Sequence, residues 1–124
     1  MYEISVDGGF AAGHALRSYK GKCEKIHGHN YKVRVTLAGA KLNAAGLLMD
    51  FVDLRAALKA LLEKLDHEFL NDIPPFDLLN PSAENLAKFI CDGIEPQVRN
   101  QGLSVRGVTV WETDTTSATY FPTD

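Results

Sequence analysis

Two segments near the start of the chain alternate apolar and polar side chains, a period of two that is typical of strands with one buried face. They cover residues 2–10 and 30–38. Their apolar positions are Tyr2, Ile4 and Val6 in the first and Tyr31, Val33, Val35 and Leu37 in the second. We predict that the two strands pair, and that residues 13–29 between them form a loop or a wide hairpin connection.

The apolar spacing becomes helical in residues 49–70, "MDFVDLRAALKALLEKLDHEFL". Asp50 is the predicted N-cap, and Asp53 adds negative charge near the positive end of the helix. The apolar stripe consists of Phe51, Leu54, Leu58, Leu61, Leu62 and Leu65. The helical pattern fades near Asp66.

A second helix is predicted after the proline-punctuated connection of residues 71–81. Ser82 is its expected N-cap, and residues 83–98 form its body. The apolar stripe consists of Leu86, Phe89, Ile90 and Ile94. Pro96 is expected to end or kink the helix, because proline lacks the N–H that a helix interior needs.

Residues 103–113 and 117–122 predict two more strands, joined by a tight turn around residues 114–116. The order strand, strand, helix, helix, strand, strand indicates an α+β fold in a single domain, residues 1–124. It is a four-stranded antiparallel sheet with two helices on one face. Both outer strands look long, and proteins avoid long unpaired strand edges. We therefore expect an oligomer that joins sheets edge to edge into a barrel.

Composition and charge exclude some classes of function. The formal net charge of -3 argues against nucleic acid or an anionic membrane as the main partner. No apolar run approaches membrane-spanning length, and the N-terminus lacks the basic head of a signal peptide. The two cysteines, Cys23 and Cys91, do not make a disulfide framework. These features predict a cytoplasmic protein.

Three of the four histidines lie close together along the chain, namely His14, His27 and His29. Residues two apart in an extended segment face the same side, so His27 and His29 can aim at one ion. His14 would join them from the end of the first strand. Three neutral imidazoles are a known Zn²⁺ ligand set that leaves a fourth position open, as catalytic sites do. The alternative is a polar loop without metal.

Cys23 lies four residues before His27 and allows several interpretations. As a fourth ligand it would close the metal site and make it structural. Beside the metal, its thiolate could act as a base or nucleophile. A buried apolar role is disfavoured by the charged neighbours Glu24 and Lys25.

Four other residues carry possible chemistry. Asp66 and His67 could form a proton-transfer pair, although His67 at a helix C-terminus is the simpler interpretation of the pattern alone. Adjacent side chains diverge on a helix, so these two need not bond each other. Glu112, at the end of the third strand, could accept two hydrogen bonds from an amino-pyrimidine edge, or lie in solvent. Cys91, within an amphipathic helix, is interpreted as structural.

Several segments together resemble the 6-pyruvoyl-tetrahydropterin synthase / 6-carboxy-tetrahydropterin synthase family. The resemblance covers nearly the whole chain, with the motifs in the family's order. The segments are "FAAGHAL", "CEKIHGHNYKVRV", "GLLMDFVDLRAAL", "LDHEFLND", "NPSAENLAKFI" and "VWETDTTSATY".

The resemblance implies a role for each matching residue. It implies Zn²⁺ bound by His14, His27 and His29, with Cys23 as a catalytic residue and not a ligand. Asp66 and His67 match the family's Asp–His proton-transfer pair, and Glu112 matches the glutamate that anchors the pterin ring. Ser82 and Glu84 belong to a segment that lines the pterin pocket, although Ser82 and Ala83 stand where threonines are frequent.

The resemblance also implies an assembly and a reaction. The family's tunnelling fold (T-fold) closes a barrel from three subunits and stacks two trimers into a homohexamer, with active sites between subunits. The short spacing between Cys23 and His27 is similar to that of the bacterial queuosine-pathway branch. That branch converts 7,8-dihydroneopterin triphosphate to 6-carboxytetrahydropterin, acetaldehyde and triphosphate. A basic loop could receive the triphosphate or simply lie in solvent; it contains Arg17, Lys20, Lys22 and Lys25.

Three alternatives remain at this point. The first is a 6-pyruvoyl-tetrahydropterin synthase, which eliminates the triphosphate. The second is an aldolase-like folate variant, which the family pattern disfavours because such variants usually carry glutamate where Cys23 stands. The third is a non-catalytic metal-binding barrel of the cupin kind, but Val33 and Arg34 stand where a cupin has a glutamate ligand.

Overall fold

The computed structural model describes residues 1–21 and 24–122. It contains a four-stranded antiparallel sheet in the order β1-β2-β3-β4 and two helices, which confirms the α+β prediction. A short 3₁₀ turn, Leu70–Asp72, lies between the helices. The elements are β1 (Tyr2–His14), β2 (His27–Gly39), α1 (Phe51–Leu62), α2 (Ala83–Arg99), β3 (Ser104–Thr113) and β4 (Thr116–Tyr120).

Both helices begin at the predicted caps. The Asp50 carboxylate accepts the Val52 N–H at 2.8 Å, and the Ser82 hydroxyl accepts the Asn85 N–H at 3.2 Å. Pro96 was expected to end or kink α2; it does not end the helix, which continues to Arg99. Pro96 lies on the exposed side of the helix. Proline has no N–H to donate, so the carbonyl one turn earlier lacks its helical partner, and on this side it can face water.

The first two strands extend further than predicted, into the region expected to be a loop. Their ladder runs from the pair Tyr2–Gly39 to the pair His14–His27. The apolar alternation ends earlier because glycines, alanines and histidines occupy the last ladder positions. As a result, His14, His27 and His29 all lie on a regular hydrogen-bonded sheet.

The core lies between the helices and one face of the sheet. β2 supplies three fully buried side chains, Val33, Val35 and Leu37. The helices cover them with their own apolar stripes, Leu54, Leu58, Leu61 and Leu62 from α1 and Leu86, Ile90 and Ile94 from α2. Cys91 is buried among these residues, which agrees with its structural interpretation.

The opposite face of the sheet is polar. Arg34 donates two hydrogen bonds to the Asp7 carboxylate, at 2.8 and 3.0 Å. Lys32 and Arg34 also lie over the Trp111 ring, with their cationic groups 4.8 and 5.4 Å from its centre. This face therefore carries charged side chains, and it does not pack on a second layer of the described chain.

The two sheet edges differ. β1 is a long edge strand, but β4 has only five residues, so the prediction of two long edges holds for β1 alone. Residues 66–68 cover one end of β1, and the Gly13 N–H bonds to the Glu68 carbonyl at 3.0 Å. None of the helices in the described ranges combines the length and apolar character needed to cross a bilayer.

Candidate metal and substrate site

The ends of β1 and β2 bring three histidines together. His14 and His27 are cross-strand partners, and His29 lies two residues further along β2 on the same face. One ring nitrogen from each of the three histidines lies within 4.8 Å of the other two. The three histidines are therefore positioned to hold a metal ion.

Two of these rings are oriented by main-chain carbonyls. His14 Nδ1 lies 2.7 Å from the Pro81 carbonyl oxygen, and His27 Nδ1 lies 3.0 Å from that of Lys25. A carbonyl only accepts, so Nδ1 of each neutral ring carries the proton and Nε2 keeps its lone pair. Such outer contacts are typical of metal-ligating histidines. The two Nε2 atoms lie 3.0 Å apart.

His29 supplies a third free nitrogen. Its Nε2 is buried and has no hydrogen-bond partner among the described residues. Burial lowers the pKa of His29, although the nearby Glu112 carboxylate opposes the shift. His29 therefore favours the neutral form that a metal needs. An orphaned nitrogen facing two others fits a three-imidazole metal centre.

Glu112 connects this cluster to a neighbouring cavity. Its Oε2 lies 3.8 Å from His29 Nε2. It also lines a cavity of about 180 Å³ between the start of α2 and β4. The other lining residues are Ala83, Glu84, Thr116, Ser117 and Ala118. Glu112 is thus the carboxylate shared by the histidine cluster and this cavity.

Of the two residues at the start of α2 that were predicted to contact substrate, one lines the cavity and the other does not. Glu84 lines the cavity with Glu112, but Ser82 is not among the lining residues. The Ser82 hydroxyl instead accepts the Asn85 N–H as the helix cap. The structure therefore brings together two of the three residues expected to contact substrate.

Asp66 and His67 contact each other, an arrangement that the sequence pattern allowed but did not require. α1 ends at Leu62, so both residues lie beyond the helix, and His67 has a positive φ of 60°. Asp66 Oδ2 lies 3.0 Å from His67 Nδ1. His67 lines an open cleft of about 440 Å³ together with His29 and residues from the ends of β1 and β2.

Cys23 and Lys22 lie outside the described residues, so their predicted roles remain predictions. Glu24 is described, and it pairs with Leu16 through two hydrogen bonds. Arg17 is not a free cation for a triphosphate, because its guanidinium donates to three main-chain carbonyls. Lys20 and Lys25 are exposed.

Sequence reasoning missed three residues around the histidines. Asn71 and Asn80 each bond the main chain just after His14. Tyr31 is 2% exposed, and its hydroxyl is buried without a partner in the described part of the chain. Burial raises the pKa of Tyr31, as does Glu112 to a smaller degree, so the phenol stays protonated. The only sequence signal was the position of the asparagines beside Leu70 and Pro81, where loops begin and end.

The family model for 6-pyruvoyl tetrahydropterin synthase matches residues 3–123. The chain belongs to this family. A 6-carboxy-5,6,7,8-tetrahydropterin synthase from Synechocystis sp. is 36% identical over 98% of this chain and 94% of that protein. The human 6-pyruvoyl tetrahydrobiopterin synthase is 38% identical over 81% of this chain and 70% of the human protein.

The fold is also that of solved structures of the 6-pyruvoyl tetrahydropterin synthase family. The Caenorhabditis elegans 6-pyruvoyl tetrahydropterin synthase superimposes with a TM-score of 0.84, covering 98% of this chain and 96% of the worm chain. At 24% identity this likeness concerns the fold alone. The four-stranded sheet with two helices is therefore the T-fold.

Proposed function

We propose that the chain is a zinc-dependent 6-carboxy-5,6,7,8-tetrahydropterin synthase. It would convert 7,8-dihydroneopterin triphosphate to 6-carboxytetrahydropterin, acetaldehyde and triphosphate. The observation that carries this proposal is the convergence of His14, His27 and His29 beside Glu112, in a chain of the pterin synthase family. The short Cys23–His27 spacing favours the carboxypterin product, as does a match to the Synechocystis enzyme that covers more of both chains than the match to the human enzyme. The proposed setting is queuosine (7-deazaguanine) biosynthesis in the cytoplasm.

The metal of this proposal is Zn²⁺ held by the three histidines. Two nitrogens kept free by carbonyl contacts and one orphaned buried nitrogen suit a tetrahedral ion with one open position. Bound there, Zn²⁺ supplies Lewis acidity, which lowers the pKa of oxygen donors that reach it. The protein's contribution is to orient the rings of His14 and His27 and to favour the neutral form of His29.

Glu112 is the proposed anchor for the pterin ring. A carboxylate can accept two hydrogen bonds from an amino-pyrimidine edge, and such charge-assisted contacts are both strong and directional. Its place between the histidines and the cavity would hold the ring in the cavity and direct the side chain of the substrate toward the metal. Glu84 lines the same cavity and would contribute a second acceptor.

Cys23, Asp66 and His67 are the proposed proton-transfer groups. The Asp66 carboxylate can accept a hydrogen bond from the His67 ring, since its Oδ2 lies 3.0 Å from Nδ1. The His67 side chain is 82% exposed in the single chain. Water would compete at so open a site, so a partner must cover it for efficient proton transfer.

A homohexamer built from two trimeric barrels would supply that cover. Asp66 and His67 lie against the edge of β1, the strand on which a neighbouring sheet would pair in a barrel. In that arrangement, Asp66 and His67 of one subunit would serve the metal of another. Sedimentation or light scattering on the purified protein tests the hexamer directly.

The decisive experiment is product identification with 7,8-dihydroneopterin triphosphate, with metal content measured on the same sample. A carboxypterin together with acetaldehyde supports the proposal. A pyruvoylpterin instead identifies a 6-pyruvoyl synthase, the activity named for the human relative. No turnover by zinc-loaded protein would favour a non-catalytic metal-binding role.

The Cys23→Ala variant separates a catalytic from a ligating cysteine. We expect it to keep one zinc ion per chain and to lose turnover. Loss of zinc from this variant would contradict the role proposed for Cys23.

A further inference from the structure

The three residues that follow His14 have their main-chain groups paired with polar residues from later in the chain, two of them more than 50 residues away. The Asn71 amide accepts the Ala15 N–H at 3.0 Å and donates to the Ala15 carbonyl at 2.7 Å. The Asn80 amide does the same for Arg17, at 2.7 and 3.0 Å. Between them, Leu16 exchanges two bonds with Glu24, at 3.0 and 2.9 Å. His14 is therefore followed by three consecutive residues that are each held at both main-chain groups.

Asn80 reaches the histidine by a second route. The next residue, Pro81, provides the carbonyl that lies 2.7 Å from His14 Nδ1. The Asn80 carbonyl accepts a bond from the Asn85 side chain at 2.9 Å, which ties the segment to the first turn of α2. Asn80 thus fixes the main chain after His14 and adjoins the residue that orients its ring.

Burial strengthens the preference of these hydrogen bonds for one geometry. His14 and Asn71 are the two buried polar side chains of the described residues, 1% and 9% exposed. A buried amide that loses a partner is left with unsatisfied groups, so its geometry is strongly preferred. Arg17 reinforces the arrangement by donating to the carbonyls of Asn71, Phe76 and Leu79.

We propose that Asn80 and Asn71 are positioning residues of the metal centre, which hold His14 where its Nε2 meets the nitrogens of His27 and His29. The inference rests on the metal site proposed above. An amide clamp around a loop could instead serve only the fold. Metal affinity distinguishes the two roles. Removing a partner that orients a metal ligand typically lowers metal affinity by about 10–100-fold. Removing a contact that serves only the fold leaves metal affinity unchanged.

The chain offers a matched control in Asn43. Its side chain also accepts two main-chain N–H bonds, from Ala45 at 2.9 Å and Leu47 at 3.1 Å. It lies in the exposed connection between β2 and α1, away from the histidines. Asn43→Ala therefore removes similar contacts from a loop without touching the metal site.

The test is a titration of the full-length, metal-free protein with Co²⁺, a spectroscopic substitute for Zn²⁺, with apo-protein unfolding measured in parallel. Asn80→Ala should weaken Co²⁺ binding by about 10–100-fold and change the visible spectrum of the bound ion. Asn43→Ala should leave both within about twofold of wild type. If Asn80→Ala does not fold, Asn80→Asp keeps the acceptor for the Arg17 N–H and should weaken binding in the same direction.

Unchanged Co²⁺ affinity and spectrum in the folded Asn80 variant would overturn the proposal, as would an equal loss in Asn43→Ala. Failure of the wild-type protein to bind Co²⁺ would overturn the metal site itself. A failed positioning role and a failed metal site thus give different results.

Discussion

The Asp66 carboxylate holds the imidazole of the next residue, His67, with 3.0 Å between Oδ2 and Nδ1. Its other oxygen accepts the Ala11 N–H at 2.9 Å, on the edge of β1. That hydrogen bond is the main cause that lowers the pKa of Asp66 below its ordinary value, and His67 adds to it. One carboxylate thus fixes a turn onto the sheet and keeps a negative charge beside an exposed imidazole.

Asp66→Asn should separate these two tasks. The amide oxygen can still accept the Ala11 N–H, so the turn should stay on the sheet, while the stability that the charged carboxylate adds at neutral pH is lost. The charge beside His67 is lost, and kcat should fall by about 10²–10⁴-fold, the usual size of a general acid–base contribution. Steady-state kinetics and metal content are measured together.

Asp72→Asn is the control, since it removes an exposed carboxylate from the adjacent turn. Metal content should match wild type in both variants. Wild-type kcat in Asp66→Asn would show that the carboxylate serves the fold only.

The stabilising effect of Asp66 should also fade in acid. Because the pKa of Asp66 is lowered in the folded protein, its contribution to stability is present above about pH 3.8 and is lost as the pH falls below that value.

Regular patterns made much of the fold predictable. Apolar periods located both helices and all four strands, and Asp50 and Ser82 began the helices because short polar side chains satisfy the free N–H groups there. The strand ends were missed because Gly13 and Gly28 carry no side chain to continue the alternation. These residues pair through main-chain hydrogen bonds between β1 and β2, and the periodicity of side chains in the sequence does not report such bonds.

The site was only partly predictable, for a related reason. His27 and His29 share a face by strand geometry, so the sequence alone indicated their convergence. The contact between Asp66 and His67 forms beyond the end of α1, where His67 has a positive φ that helical periodicity does not predict. The asparagine clamp depends on loops that are distant in sequence, so no local pattern could reveal it.

Glu112→Gln should weaken pterin binding while leaving the metal in place. Hydrogen bonds to a charged group contribute about 1.5–3 kcal/mol, so affinity should fall by about 10–100-fold. Binding of a pterin ligand to zinc-loaded protein can be followed by calorimetry. Asp114→Asn, in the exposed β3–β4 turn, should bind like wild type. Equal affinity in Glu112→Gln and wild type would remove this residue from ring recognition.

His29→Ala should abolish stoichiometric metal binding. The variant loses one of three converging nitrogens, the one buried without a partner. Zinc at a hundredfold excess over its Kd should stabilise wild type by about 2.7 kcal/mol, seen as a higher Tm that a chelator reverses. The His29→Ala protein should show no such shift. Lys32→Ala, on the opposite face of β2, should respond to zinc like wild type; loss of the response there would mean that the effect is not local.

Leu58→Ala should destabilise the fold without altering the metal ligands. Leu58 lies on α1 and is 1% exposed. It packs so closely on Gly8 of β1 that a Cβ atom added to the glycine would lie 3.0 Å from Leu58 Cδ2. Truncating such a residue costs about 2–5 kcal/mol, from lost burial and the remaining cavity. Val52→Ala removes an exposed side chain from the same helix and should change stability by less than about 0.5 kcal/mol. Thermal unfolding of the metal-free proteins compares them, and equal Tm values would contradict the packing of α1 on β1.

Cys91 should be inert toward thiol reagents in the native protein. It is 2% exposed, and burial raises the pKa of its thiol to about 11, with Asp92 and Glu95 adding to the shift. Near pH 8 only about one molecule in a thousand would carry the reactive thiolate. In a Cys23→Ser variant, where Cys91 is the remaining cysteine, iodoacetamide labelling followed by peptide mass analysis isolates its behaviour. Labelling should be slow in buffer, quicken as pH rises toward 11, and reach completion once guanidinium chloride unfolds the chain. Equal rates in buffer and denaturant would mean that the α2 stripe is open to solvent, contrary to its packing against the sheet.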